Sequence, residues 1–440
     1  MTGIPASGGS GGSKRGDMKI LASAYACNPE GSLQMHPGED LTGWCLVQQL
    51  GRFHDVYVLT HSRNEKGIQI FLQGRPLPGV RFVFLDLPKG LKWLYRIEFG
   101  QRIYYFLWQI KAWQRARELD KEIHFDLAHH VTFGNDWIPS FIGAFLSIPF
   151  IWGPVGGGQR TPRPLLREYT CYGRFAEAIR NAAQWFGRRM FVRRLCLKRA
   201  RALLVCNPET YAKIPFRYKD KTLYFPVNGI SAQDVWARPP GPRAGPPFKV
   251  ITAGRLHRLK GFSLAVRAFA SFAADHPDSE MEIIGKGPEE GRLRRLIQKA
   301  GLQGKVQIVP WLPRKDVLDA MRSSDVFLFP SFRDGGGAVV VEAMASSLPI
   351  IVLDSGGPGA HIHEEWGIKI SPGPPDEVVR KMAQALERLS RNKELRHQMG
   401  RAGRERVLSF YLWDRLGEKM RETYTFALEG KRPSDEGMTE

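Results

Sequence analysis

A basic pair in the second half of the chain has the type and spacing to handle an anion. In KVITAGRLHRLKGF, Arg255 and Lys260 follow a β-rich run and lie where a helix would begin. Two cations beside helix N-terminal amides suit a diphosphate, both as a bound group and as a departing one. Next, EIIGKGPE ends a strand-like run in Gly285 and Gly287, where small residues allow close approach of a ligand. In PSFRDGGGAVVVEAMASSLPIIVLD, Asp334 and Glu342 stand eight residues apart, and Gly335, Gly336 and Gly337 follow the aspartate. If a helix starts near Gly337, Asp334 lies in the loop before it and Glu342 about a turn and a half inside it. Carboxylates accept strong hydrogen bonds from sugar hydroxyls, and the glycine amides can donate others. Plainer readings stand beside these: a solvated basic helix end for Arg255 and Lys260, a surface helix position for Glu342, and a helix cap for Asp334.

These residues need elements to position them. MKILASAY, HDVYVLT, RFVFLD, FDLAHH, PFIWGP and ALLVC are short β-rich runs in the first half, with helical stretches between them, one predicted from Leu91 to Lys121. KVITAG, MEIIG, KVQIVP, VFLFP and PIIVLD repeat the alternation in the second half. Alternating strands and helices predict parallel sheets covered on both faces. Between them ARPPGPRAGPP can sustain neither a helix nor a central strand. The expected architecture is therefore α/β, with two doubly wound Rossmann-like domains, 18–226 and 248–405, facing a cleft across a Pro/Gly-rich linker at 227–247. A flexible leader is expected at 1–17, a C-terminal helix able to cross back to the first domain at 406–430, and a disordered tail at 431–440. In such sheets ligands sit beyond the carboxyl ends of the strands. FDLAHHVTFG places His129 and His130 at one such end. Strand alternation lets only one of them face the cleft, and His130 is favoured.

A chain of 440 residues exceeds one ordinary core, in keeping with two domains. Its formal net charge of +20 favours anionic partners: nucleotides, nucleic acids or acidic lipid surfaces. A nucleic-acid binder would need a known module and clustered base-stacking aromatics, and neither is evident. The five cysteines form no C-x-x-C pair, which argues against zinc and disulfides and fits a reducing cytosol. The first residues lack the apolar core of a signal peptide. Trp137 to Gln159 carries no charge and is long enough to cross a bilayer, but Pro139, Pro149 and Pro154 interrupt it. The expectation there is a short buried helix and then a strand at Phe150–Trp152. From Arg174 to Arg201, basic residues alternate with Trp185, Phe186, Met190 and Phe191. Such a helix can lie on an anionic membrane, or pack its apolar side on the sheet.

Taken in order, the second-half motifs resemble the family 4 retaining glycosyltransferases, also called group 1, which have the GT-B fold. The resemblance rests on Asn228-Gly229, GRLxxxKG (Gly254–Gly261), IIGxGP (Ile283–Pro288), Asp334-x7-Glu342, EAMAxxLP (Glu342–Pro349) and GGP (Gly356–Pro358). It implies that Arg255 and Lys260 hold a donor diphosphate, that Glu342 binds the nucleotide ribose beside Gly285, and that Asp334 with Gly335, Gly336 and Gly337 meets the donor sugar. The family usually carries glutamate at the first acidic position, one methylene longer than Asp334. The first half resembles the family more loosely. SAYACNPEGS, with Gly31, is similar to a loop after the first strand, and a family histidine close to the reacting sugar corresponds to His130 or His129. GPVGGG, with Gly156 and Gly157, is expected either to border the acceptor side or to be a tight turn. The candidate catalytic set is thus His130, His129 and Asp334. The resemblance implies transfer of a sugar from a nucleotide diphosphate donor to a carbohydrate or lipid-linked acceptor, with retention, in surface polysaccharide or glycolipid synthesis. The cysteine usage fits a cytoplasmic enzyme, and the basic aromatic segment makes an anionic membrane surface a candidate further partner. No D-x-D triplet occurs, so no obligatory metal and no cofactor are expected. A nucleotide-sugar epimerase of the same fold and a scaffold with a decayed donor site are the rival readings.

Overall fold

The structure is a computed structural model that describes residues 18–29, 37–96, 100–235 and 245–432. The expected leader, Gly31, much of the Pro/Gly-rich stretch and most of the expected tail lie outside those residues.

The described residues form two wholly parallel sheets. The first comprises β1 (Lys19–Ser23), β2 (Asp55–His61), β3 (Val80–Leu85), β4 (Leu127–His130), β5 (Phe150–Val155), β6 (Ala200–Val205) and β7 (Thr222–Tyr224), in the spatial order β3-β2-β1-β4-β5-β6-β7. The second comprises β8 (Phe248–Ala253), β9 (Ser279–Ile284), β10 (Val306–Val309), β11 (Val326–Phe329), β12 (Ile350–Leu353) and β13 (Gly367–Ile370), in the order β10-β9-β8-β11-β12-β13. Strands such as β11 (VFLF) and β12 (IIVL) are buried throughout, because helices cover both faces and neither face needs polar residues. Strand order reverses between β1 and β4, and again between β8 and β11. Crossovers leave each of those pairs on opposite sides, which opens a crevice at the carboxyl ends.

The stretch predicted as one helix from Leu91 to Lys121 is divided. A 3-10 segment spans Lys89–Arg96, and a helix runs from Gly100 to Ile123. A Cβ on Gly100 would fall 1.9 Å from the Leu94 carbonyl oxygen, so the chain turns back on itself where only glycine fits. The uncharged stretch after Trp137 resolves into a helix at Phe141–Phe145 and β5. No helix among the described residues is long and apolar enough to cross a membrane.

The two halves interlock. The last helix, Trp413–Glu429, packs Leu416, Met420 and Tyr424 into the core that holds Ile20 and Ile151 of the first sheet and Val47 of the Pro37–Phe53 helix. Trp413 lies over Gly229, where a Cβ would meet its ring at 2.6 Å. Conversely, the 3-10 turn Arg163–Glu168, which follows β5, inserts Leu165 into the core of the second domain beside Phe262 and Phe332. Glu168 on that turn takes hydrogen bonds from Ser263 and Arg267, both at 3.1 Å. Leu165 is fully buried. Leu165→Ala is expected to destabilise the protein by about 2–5 kcal/mol, the usual cost of such a truncation, in chemical denaturation monitored by tryptophan fluorescence. A cost near zero would show that the turn is not part of the second core.

Candidate functional site

The second reversal point gathers the basic and acidic motifs. The chain leaves β8 through Gly254 and Arg255, and forms a 3-10 turn at Arg258–Lys260 that ends in Gly261. Gly261 has φ +70°, and a Cβ on it would sit 2.1 Å from the Pro330 carbonyl oxygen. The loops after β8 and β11 therefore touch, and this contact brings the Lys260 ammonium onto the Asp334 carboxylate as a half-buried ion pair. The other Asp334 oxygen accepts from the Gly337 amide at 3.3 Å, so the aspartate also braces the glycine loop just ahead of the Ala338–Ala345 helix. Burial pushes the Asp334 carboxyl up, but Lys260 and the Gly337 and Gly336 amides outweigh this and hold it below the usual range. Arg255 is exposed, and its guanidinium has no partner among the described residues.

Glu342, in the same helix, meets an arginine that the sequence did not single out. Arg314 lies 3.3 Å from its carboxylate and 3.5 Å from that of Asp234. Burial, helped by Asp234 and opposed by Arg314, raises the Glu342 carboxyl above its ordinary value. A Cβ on Gly285 would lie 2.0 Å from the Gly254 carbonyl oxygen, so the backbone after β8 packs directly against this glycine.

The glycine loop is gripped from both halves. Asn207 donates to the Gly335 carbonyl at 3.1 Å, and Glu209 accepts from the Gly356 amide at 2.6 Å. A Cβ on Gly336 would strike Asn228 at 2.5 Å, and Gly337 takes the left-handed conformation (φ +69°) against Pro358. His361 bonds the Gly336 carbonyl through one ring nitrogen and the Tyr411 hydroxyl, at 2.9 Å, through the other. Asn207, Glu209, Arg314 and His361 went unread in the sequence because no local pattern marks them. They matter only through the partner that folding brings.

In the first half, His129 and His130 end β4 beside the other reversal point, with Ser23 of β1 opposite His130. His129 bonds the Gly153 carbonyl at 2.6 Å and the Tyr424 hydroxyl at 2.8 Å. A carbonyl only accepts, so Nε2 carries the proton and Nδ1 accepts from the tyrosine. Both nitrogens are thus engaged within the protein. His130 meets the Tyr105 hydroxyl at 3.2 Å. Burial lowers His129 to about 4, and burial with the neighbouring His129 lowers His130 to about 3. GPVGGG forms a packed turn: Gly156 bridges Asn135, Gly157 has φ +95°, and its carbonyl accepts from Gln184 and Arg188, each at 2.9 Å. Between the halves, Glu177 receives Arg180 at 3.0 Å and Arg333, the residue before Asp334, at 3.4 Å. Among the described residues, no three His, Cys, Asp or Glu side chains gather as a metal site would need.

The family model for glycosyl transferases group 1 matches residues 237–406, which include Arg255, Lys260, Asp334 and Glu342. This C-terminal half is similar to the group 1 glycosyltransferase domains that the model describes. The chain is 31% identical over 188 residues to a D-inositol 3-phosphate glycosyltransferase of Paenarthrobacter aurescens, covering 42% of this chain and 45% of that one. It is 28% identical over 173 residues to the GDP-mannose-dependent monoacylated alpha-(1-6)-phosphatidylinositol monomannoside mannosyltransferase of Corynebacterium glutamicum, covering 38% and 44%. The chain thus spans under half the length of these two curated relatives. The sucrose-phosphate synthase of Thermosynechococcus elongatus superposes with a TM-score of 0.66 at 18% identity, covering 94% of this chain and all of that one. The two halves therefore adopt the GT-B fold together.

The buried histidines generate a pH expectation. With folded values well below the ordinary one near 6.5, the unfolded chain takes up their protons first as pH falls. The stability carried by a neutral His129 is complete above pH 6.5 and is lost as pH falls from there to about 4. His129→Gln should therefore flatten the fall in stability across that window by up to about 1.4 kcal/mol per pH unit, measured by urea unfolding. An unchanged slope would show that His129 titrates normally in the folded protein.

Proposed function

We propose that this protein transfers a sugar from a nucleoside diphosphate donor to an acceptor hydroxyl with retention of anomeric configuration, in surface polysaccharide or glycolipid synthesis at a membrane face. The observation that carries this reading is the convergence of Arg255, Lys260 and Asp334 on the β8/β11 reversal point, inside the half similar to group 1 domains. Exposed Arg255 is open to the diphosphate. Lys260, held against Asp334 when no donor is bound, is placed to share its charge with the phosphates. In the reaction the bond from the anomeric carbon to the diphosphate oxygen breaks, and the diphosphate departs with the electron pair. The acceptor oxygen bonds the same face of that carbon. Same-face entry sets the acceptor hydroxyl beside the departing oxygen, which can take its proton. The two cations stabilise the charge that develops there, so the site supplies its own electrophiles and we propose no obligatory metal. Asp334 and the glycine loop border the sugar, and Glu342, paired with Arg314, faces the ribose. A histidine lowered to about 3 is a weak base, which suits His130 to hydrogen bonding more than to proton uptake. The acceptor is lipid-linked or a carbohydrate, as the lipid substrate in the name of the mannosyltransferase relative suggests.

Thermal melts with UDP, GDP and ADP test the donor site. One of the three, at a hundred times its dissociation constant, should add about 2.7 kcal/mol of stability. Arg255→Ala should melt like the unliganded wild type, lose that shift, and lower kcat on the order of a hundredfold. Stabilisation by none of the three would sink the donor-site reading. Donor consumption without any acceptor would identify an epimerase.

A further inference from the structure

The helix Cys171–Arg189 is inside out. Its buried side presents Glu177, Arg180 and Gln184, all hydrogen-bonded. Its outward side presents Tyr172 (71% exposed), Phe175 (64%), Ile179 (37%) and Phe186 (66%). Their steps of three, four and seven residues keep these four on one stripe. Trp185, 54% exposed, flanks them, with the Arg189 guanidinium 3.8 Å above its ring centroid. A helix on a water-facing surface normally has the opposite arrangement. The following helix, Phe191–Arg199, continues the composition, with Phe191 72% exposed and Arg194 and Lys198 also outward.

The charge pattern indicates what covers this face. Between Cys171 and Arg199 the single acidic residue is Glu177. It is turned inward onto Arg180 and Arg333. The outward surface of both helices therefore carries cations and aromatics with no carboxylate. Aromatic and aliphatic side chains rimmed by arginine and lysine fit a boundary where apolar chains meet anionic headgroups.

We propose that the outward face of the Cys171–Arg189 and Phe191–Arg199 helices docks on an anionic bilayer surface. The inner face of the first helix reaches the cleft, through Glu177 to Arg333 and through Gln184 and Arg188 to the Gly157 turn. One helix thus has lipid on one side and the first-domain wall of the cleft on the other. Docking would bring that wall to the headgroups, where a lipid-linked acceptor lies. This last step rests on the glycolipid reading above, whereas docking itself does not.

The test is co-sedimentation of the full-length protein with phosphatidylcholine vesicles, with and without phosphatidylglycerol. The wild type should bind the mixed vesicles, bind less as salt rises, and ignore pure phosphatidylcholine. Phe175→Ser with Phe186→Ser should abolish binding. Arg189→Gln with Arg194→Gln should weaken it by roughly 30-fold, the weight of two basic residues at an anionic surface. Both double variants should keep the nucleotide-induced melting shift of the wild type, which separates lost docking from lost folding. No binding by the wild type, or binding that neither double variant changes, would overturn the proposal. So would a wild-type oligomer that the phenylalanine variant dissociates without any vesicle binding, because the face would then be a protein interface. Vesicle binding with no nucleotide shift in any form would leave docking standing and count against the transferase reading alone.

Discussion

The ion pair between Lys260 and Asp334 is the contact on which the second-domain site turns. It joins the loop leaving β8 to the loop leaving β11, and it forms because Gly261 lets those loops touch at the Pro330 carbonyl. Each partner offsets part of the other's desolvation, since the two side chains are only 20% and 17% exposed. Asp334 also orders the glycine loop through the Gly337 amide, so the shape of that loop and the placing of the Lys260 charge are set by one carboxylate. On the proposed reading, a diphosphate entering here would not meet a bare cation. It would compete with Asp334 for Lys260, while Arg255 would face it unopposed.

The strands of the middle of each sheet could be read directly, because a run such as VFLF or IIVL buried on both faces must be apolar throughout. Two of the edges could not. β7 (Thr222–Tyr224) is only three residues long, and β13 (Gly367–Ile370, GIKI) has no continuous apolar run to mark it. The divided helix at Leu91 was missed for a different reason. Gly100 looks like a tolerable helical glycine until the Leu94 carbonyl is seen against it. Among the candidate site residues, Arg255, Lys260 and Asp334 could be singled out because each lies in the segment just after a strand, and Glu342 because it lies on the helix that follows one. Their partners could not. Arg314, Asp234 and Glu209 come from other segments, and their charge looks like ordinary surface composition in one dimension.

The basic aromatic segment shows the same limit more sharply. Its sequence allows either face to point inward. The choice is made by Asp136, a buried carboxylate that takes Arg188 at 2.6 and 2.9 Å and lies 3.6 Å from Arg193. Together with Glu177 it draws the guanidinium side of the helices toward the protein and turns the aromatics out. Two inward carboxylates thereby decide the character of a whole surface.

The reciprocal insertion of Leu165 and the Trp413–Glu429 helix bears on how such a protein can be recombined. The Pro/Gly-rich stretch looks like the natural place to cut, yet neither piece made there is whole. The first piece would carry a stray Leu165 and lack the lid of its own core, and the second would have a hole where Leu165 sat and an orphaned helix. A second half transplanted onto another first half would have to bring residues 163–169 with it and leave residues 413–429 behind. The unit of inheritance here is the interlocked pair, and the visible linker is not its seam.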